Sequence, residues 1–237
     1  MAATTTKTYR IGVLLESVQL TDIVGIDIFG NLSKEYILAA AELDASVAAL
    51  APLGIEELKV YYMGPTLEPV ELTAQFRYAP NVTYDDCPRD LDLVLVGGNT
   101  PGVRPEAASR FMREAWRRTP VWMTTCTGAL WLADAVGLDG RRATTNRMAL
   151  PLAKKMHPGV EWADLRWVVD SKPFEGEGEG ELWTSGGAGA GLDMIADYCL
   201  KHWDPRLVKP FGLYGIELQP GRSFDQHYNY DMAEIWS

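Results

Sequence analysis

Cysteine and histidine are both scarce in this 237-residue chain, with three of each. Cys87, Cys126 and Cys199 lie far apart, and no CxxC pair occurs. This excludes a disulfide framework and a zinc site built on cysteine pairs. It suits a compartment that keeps thiols reduced, the cytosol. Excess positive charge is lacking as well. Against 32 Asp and Glu stand 22 Lys and Arg, a net charge of −10, which argues against a nucleic-acid partner or an anionic membrane surface. No apolar run approaches the roughly 20 residues needed to span a bilayer. The short polar opening, Met1 to Lys7, reads without a signal-peptide core, so the glycosylation-like triplets at Asn31 and Asn81 read as chance matches. There is no internal repeat. Gly186-Gly-Ala-Gly-Ala-Gly191 does not follow GxGxxG with an acidic residue placed after it, so a dinucleotide site is not expected. It reads as a close-packed helix start, and no cofactor is expected.

What remains is an ordinary globular composition, 47% hydrophobic and 23% charged. The length fits one α/β domain over residues 1–237. Apolar runs predict strands at Tyr9–Leu15, Leu58–Met63, Leu91–Val96, Val121–Thr125, Arg166–Asp170 and Glu181–Ser185. Helical spacing predicts helices from Thr21 to about Ala41, Pro105 to Arg118, Thr127 to Val136, Arg147 to Met156 and Leu192 to Trp203. Val70–Thr73 and Phe76–Tyr78 read as an edge hairpin, and the acidic glycine-rich stretch Glu175–Glu181 as a mobile, solvated connection. Strands alternating with helices predict a mostly parallel sheet sandwiched by helices. Ligands in such sheets bind beyond the carboxyl ends of the strands. The aromatic segment 204–237 reads as an ordered cover or an oligomer contact.

Three segments converge on that end of the sheet: the turn after the first strand, Gly97-Gly98-Asn99, and Cys126. Cys126 lies between an apolar strand and the small-residue helix start Thr127-Gly-Ala. A cysteine on such a turn meets free N–H groups and the positive end of a helix dipole, which favour the thiolate. Two readings stand: a nucleophile, or a small buried residue capping a strand. Neither His157, at a helix end, nor His202, late in the last helix, lies in a segment that ends at the cleft. His227 in the tail remains able to fold over it. Where a Cys–His dyad would be natural, after Thr144-Thr145, stands Asn146. A carboxyl group is the other available proton carrier. Asp22 is first in line, either in this role or as an N-cap; Glu16 is second, and Asp27, inside the helical pattern, third. The N–H groups of Gly98, Asn99 and Thr127 suit an oxyanion-type hole, and the Thr127 hydroxyl suits a substrate atom or water.

Asp92-Leu-Val-Leu-Val-Gly-Gly-Asn, Thr125-Cys-Thr-Gly-Ala, Leu138-Asp-Gly-Arg-Arg-Ala-Thr-Thr-Asn, Trp167-Val-Val-Asp and Trp183-Thr-Ser-Gly-Gly-Ala-Gly-Ala-Gly-Leu-Asp193 occur in an order that resembles the ThiJ/PfpI superfamily. The resemblance runs from about Ile11 to Trp203. It implies a flavodoxin-like, class I glutamine-amidotransferase-like fold with a nucleophile elbow at Cys126. Among branches the chain is most similar to the isonitrile hydratase group, whose signature includes an Asp after the first strand, here Asp22. It departs from many members of that group in carrying Asn146 where they carry His. The resemblance implies that Cys126 attacks the terminal carbon of an isonitrile and that Asp22 protonates that carbon or activates water. It further implies that Thr127 binds Asp22 or the substrate, with Gly97, Gly98, Asn99 and Asn146 around them, and that an N-formamide is released. It also implies a homodimer. The same Cys and Asp could serve another small electrophile, such as an α-oxoaldehyde or a secondary-metabolite intermediate. A non-catalytic sensor oxidised at Cys126 is the third reading.

Overall fold

The computed structural model describes residues 8–100, 103–218 and 223–225. In chain order its strands are β1 Thr8–Leu14, β2 Glu57–Gly64, β3 Val70–Glu71, β4 Arg77–Tyr78, β5 Val82–Thr83, β6 Leu93–Val96, β7 Val121–Thr124, β8 Arg142–Ala143, β9 Glu161–Trp162, β10 Trp167–Lys172 and β11 Gly180–Ser185. The main helices are α1 Ile26–Asn31, α2 Lys34–Ala40, α3 Glu106–Ala115, α4 Gly128–Val136, α5 Leu150–Met156 and α6 Ala188–His202. Seven strands form the central sheet in the order β10-β11-β7-β6-β1-β2-β5. All neighbours are parallel except β10 and β11.

Side chains of successive strand residues point to opposite faces, and the central strands are apolar on both. Ile11, Val13, Leu93, Leu95, Val121 and Met123 meet Phe29, Met194 and Ile195 on one face. Leu14, Val94, Val96, Trp122 and Leu182 meet Phe111, Leu130 and Trp131 on the other. α3 shows why it lies flat on the sheet. Ala108, Phe111, Met112 and Ala115 are buried at helical spacing.

Three sequence expectations need correction. The long helix from Thr21 to Ala41 breaks in two. Ser33 adopts an extended conformation and caps α2, accepting a hydrogen bond from Tyr36 N at 3.2 Å. Its neighbours pair with Ile55, through Lys34 N to Ile55 O and Ile55 N to Leu32 O, both at 2.9 Å. The sheet is mostly parallel, as expected, and its one antiparallel pair is β10 and β11. The short acidic stretch after β10 cannot carry a crossover, which takes a dozen or more residues, so it closes an antiparallel hairpin instead. Glu175 in that stretch pairs with Arg117 at 3.2 Å. The β3–β4 hairpin forms a separate two-stranded sheet rather than the edge of the main one. Lastly, α6 begins at Ala188, inside the glycine run.

The described part of the tail does not cover Cys126. Helical turns at Pro205–Leu207 and Val208–Leu213 bury Leu207, Val208 and Leu213 in the cluster that holds Phe29 and Met194. Phe224 packs edge-on against Trp167. His227, Tyr228, Tyr230 and Trp236 lie outside the described residues. Among the described residues no helix is long and apolar enough to cross a membrane.

Candidate active site

β7 runs into Thr125, then Cys126, then the first turn of α4. Cys126 has φ 58°, a left-handed conformation that costs a side-chain-bearing residue roughly 1–2 kcal/mol. The turn is held there by bonds from several sides. Cys126 N donates to Gly186 O, Thr125 N to Val96 O at 3.0 Å, and Gly128 N to Thr125 O at 3.0 Å. The Thr145 hydroxyl donates to Cys126 O at 2.8 Å. Glycine follows at 128 because α4 leans on the end of β6. A Cβ there would lie 2.2 Å from the Val96 carbonyl oxygen.

Asp22 is the last residue of a short helical turn, Leu20–Asp22, and it does not cap α1; Gly25 occupies that cap position. It is 2% exposed. Its Oδ2 accepts the Gly98 N–H at 2.9 Å. Gly98 is the point where the acid and the thiol meet. A Cβ on Gly98 would lie 2.5 Å from Asp22 Oδ2, 2.8 Å from Cys126 Cβ and 3.0 Å from Cys126 Sγ. A Cβ on Gly97 would strike Val18 at 2.2 Å. The two glycines therefore let the β1 turn, stitched by Gln19 N to Gly98 O at 2.9 Å, close onto the elbow.

Burial dominates the electrostatics. It lifts the Asp22 carboxyl from 3.8 to about 6, against the opposing pull of the Gly98 N–H and the facing thiol. Burial and then the Asp22 charge push the Cys126 thiol up, while the Asn146 amide and the Thr127 N–H act in the other direction. This corrects the expectation of a resting thiolate. The helix start is present, but the thiol of a residue only 9% exposed, beside a carboxylate, loses more hydration than two N–H groups return. The resting pair is better described as one proton shared by two groups.

Asn146 Nδ2 donates to Cys126 Sγ at 3.3 Å, and its Oδ1 accepts Met148 N at 3.0 Å. The second bond fixes the amide's orientation, because only oxygen can accept from Met148. Asn146 therefore presents a donor to the sulfur and cannot take its proton. The Thr127 hydroxyl donates to Asn99 O at 2.7 Å, not to Asp22. Gly98 N is spent on Asp22, so it is not a free oxyanion donor. Asn99 Nδ2 donates to the Glu16 carbonyl. The Glu16 side chain faces Tyr84 and is raised by burial. Asp27 is exposed beside a hollow lined by Tyr62 and Tyr78. His157 Nε2 lies 3.0 Å from Asp134 Oδ1, and His202 packs on Tyr198 with ring centroids 4.1 Å apart. Neither histidine lines the cavity above Cys126.

That cavity measures ≈ 530 Å³ and has Gly98, Asn99, Cys126, Thr127 and Asn146 at its base. Its lining adds residues the sequence did not single out: Ser17 and Gln19 from the turn after β1, Thr73 from between β3 and β4, and Met148 and Leu152 from the run after Asn146. Ser17 has φ 46°, and nothing in its sequence context signals this. Met148 and Leu152 look like core positions at i, i+4 spacing. Another hollow, of ≈ 340 Å³ between Tyr9, Tyr198 and Trp203, sits at the opposite end of β1 and has no cysteine in its lining. Among the described residues no group of three or more His, Cys, Asp or Glu could hold a metal ion.

The model of the DJ-1/PfpI family matches residues 34–199. This span includes Gly98, Cys126 and Asn146 but not Asp22. An isonitrile hydratase of Pseudomonas putida is 29% identical over 147 residues, which cover 59% of this chain and 58% of that protein. The chain thus matches less than two thirds of that relative's length. Among solved structures, a ThiJ/PfpI family protein from Pseudomonas syringae superposes with a TM-score of 0.69 at 22% identity, covering 92% of this chain and 78% of the other. Drosophila melanogaster DJ-1beta superposes with a TM-score of 0.62 at 15% identity, covering 90% and 100%. These two likenesses establish the flavodoxin-like fold.

Proposed function

The chain belongs to the DJ-1/PfpI family, and on that premise we propose that it is a cofactor-independent cysteine enzyme that hydrates an isonitrile to an N-formamide. One observation carries this reading. Cys126 shares the space around Gly98 with a buried carboxyl group, Asp22, and its other side-chain neighbour is an amide rather than an imidazole. The partial match to an isonitrile hydratase agrees with it.

In the proposed reaction the Asp22 carboxylate takes the thiol proton as sulfur attacks the terminal isonitrile carbon. Asp22 returns that proton to the same carbon, giving a thioimidate. Water then adds to the thioimidate carbon, the carbon–sulfur bond breaks, and the thiol is reprotonated. The sum is one isonitrile and one water giving one N-formamide. Asn146 and the Thr127 N–H hold the sulfur during attack and stabilise it as a leaving group. A peptidase or amidotransferase is disfavoured, because the described histidines lie away from Cys126.

Purified protein incubated with a panel of isonitriles should release formamides, and Cys126→Ala should release none. No turnover across the panel refutes the reading. Conversion of methylglyoxal to lactate in its place would move the function to a glyoxalase-type reaction at the same pair. Sulfinate at Cys126 after mild peroxide, with neither activity, would mark a redox sensor. We further propose a homodimer in the cytosol. Light scattering after size-exclusion chromatography tests the first, and fractionation of cells the second.

A further inference from the structure

Asp22 is held at the thiol by a segment that lies outside the central sheet. Its turn, Leu20–Asp22, has no side-chain cap from the preceding Gln19, whose amide donates instead to the Thr21 hydroxyl at 3.0 Å. The N–H of Leu20, which the turn itself cannot satisfy, is taken by Thr73. The Thr73 hydroxyl oxygen accepts it at 2.9 Å, across 53 residues of sequence. Thr73 N in turn donates to Val18 O at 3.3 Å. These two bonds tie the connection between β3 and β4 to the stretch that leads into Asp22. The connection is itself shaped for this contact. Ala74 and Gln75 have φ 58° and 60°, successive left-handed conformations that side-chain-bearing residues rarely adopt. Leu72 N to Phe76 O at 2.7 Å closes the turn, and Leu72, only 4% exposed, roots it in the core. Strain that the surroundings over-determine marks a functional turn. Here it presents Thr73 to the Asp22 segment, at the rim of the cavity above Cys126.

The same turn also meets the elbow. Gln19 N donates to Gly98 O at 2.9 Å, Asp22 N closes on Gln19 O at 2.9 Å, and Asp22 Oδ2 accepts Gly98 N at 2.9 Å. The carboxyl group is thus tied to Gly98 directly and to Thr73 through the main chain. We propose, resting on the reading of Asp22 as the proton carrier, that Thr73 is a positioning residue. Its hydroxyl holds the Leu20–Asp22 turn so that the carboxyl stays dry and aimed at the Cys126 sulfur. The β3–β4 hairpin is thereby part of the machinery, although it adds no strand to the main sheet. Burial is the largest influence on the Asp22 carboxyl and outweighs the opposing pull of Gly98 and Cys126. Loosening the turn admits water, so the carboxyl falls back toward its ordinary 3.8. Among the described residues the titratable group in contact with Asp22 is the Cys126 thiol. Glu16 faces Tyr84, and Asp27 is exposed on α1.

The acid is read first, without any substrate. In the full chain carrying aspartate labelled with carbon-13 at the side-chain carboxyl, the Asp22 signal is assigned by its absence in Asp22→Asn. Its titration is then followed by NMR. Thr73→Val keeps the shape of the side chain and removes the hydroxyl. It should move the midpoint from about 6 to about 5 or below. Thr73→Ala should do the same, so that a misfit of valine cannot stand in for the lost hydroxyl. Thr73→Ser keeps the hydroxyl and should return the midpoint to about 6. Gln75→Gly relieves the strain without removing the bond and should leave the midpoint in place. Isonitrile hydration is measured next. Thr73→Val should lower kcat by about tenfold or more with KM unchanged, and Thr73→Ser should restore it. An unmoved midpoint in Thr73→Val and Thr73→Ala overturns the inference. A rise in KM alone does so as well, because it would place Thr73 on the substrate. If the midpoint moves as expected in a protein that hydrates no isonitrile, the hydratase reading falls and the positioning of Asp22 stands. If isonitrile is hydrated while neither midpoint nor kcat responds to Thr73, the hydratase reading stands and this inference falls.

Discussion

Replacing Asp22 by asparagine should make the protein more stable and less active. Burial raises the Asp22 carboxyl from 3.8 to about 6. A carboxyl whose folded pKa is raised favours the folded state when it is protonated. The wild-type chain is therefore least penalised at low pH, loses stability as pH climbs through the window from 3.8 to about 6, and carries the full penalty above it. At about 1.36 kcal/mol per pH unit, this penalty is about 3 kcal/mol at neutral pH. In the Asp22→Asn variant the amide keeps an oxygen for the Gly98 N–H and brings no charge, so it escapes the penalty. Urea unfolding at about pH 7.5 should show the variant more stable by about 2–3 kcal/mol. Below about pH 4 the two proteins should converge. Glu16, also raised by burial, is common to both and cancels. A variant no more stable than wild type at neutral pH, or a gain that persists unchanged in acid, would refute the claim that burial of the Asp22 charge outweighs its hydrogen bonds.

Gly98→Ala should lower stability by about 1–3 kcal/mol through overpacking and lower kcat/KM by about a hundredfold; chemical denaturation and steady-state kinetics read the two effects separately. Isonitrile hydration should fall below about pH 6, where the Asp22 carboxylate no longer accepts the thiol proton, and a pH–rate profile with no acidic limb would count against Asp22 as the proton carrier. Asn146→Leu removes the amide donor and lets the thiol rise further, so alkylation of Cys126 at fixed pH should slow, by about tenfold if the sulfur bond is charge-assisted; an unchanged rate would mean that Asn146 does not hold the sulfur. Cys126→Gly should abolish turnover yet leave the protein as stable or up to about 1 kcal/mol more so, since glycine adopts φ 58° freely; a large loss of stability in thermal melts would show that the side chain, not the backbone, anchors the turn.

Much of this architecture is readable in the sequence, for identifiable reasons. β6 and β7 are apolar on both faces, and only a covered central strand tolerates that. The elbow is visible because a cysteine falls between such a strand and two small residues. The break at Ser33 is hidden, because apolar periodicity runs through it while the partner that splits the helix, Ile55, is distant in sequence. The direction of β10 is hidden for a different reason: alternation has no sense of up or down, and only the length of the following loop decides it. The ionisation of Cys126 is the deepest omission. A helix start is a local signal, whereas the burial and the Asp22 charge that outweigh it are assembled from segments about a hundred residues apart. Met148 and Leu152 are legible as an apolar pair but not as a pair turned outward.

The contact at Gly98 bears on how this site can change over time. Gly98 lies so close to Asp22 and Cys126 that it cannot gain a Cβ without displacing one of them. Substitutions among the three should be strongly non-additive, and single-step routes through them should be closed. The floor of the cavity is in this sense frozen. New substrates are reachable by altering the walls, where Met148 and Leu152 are half-exposed. A lineage built on this chain would diversify what it accepts while keeping the same thiol, the same acid and the same glycine between them.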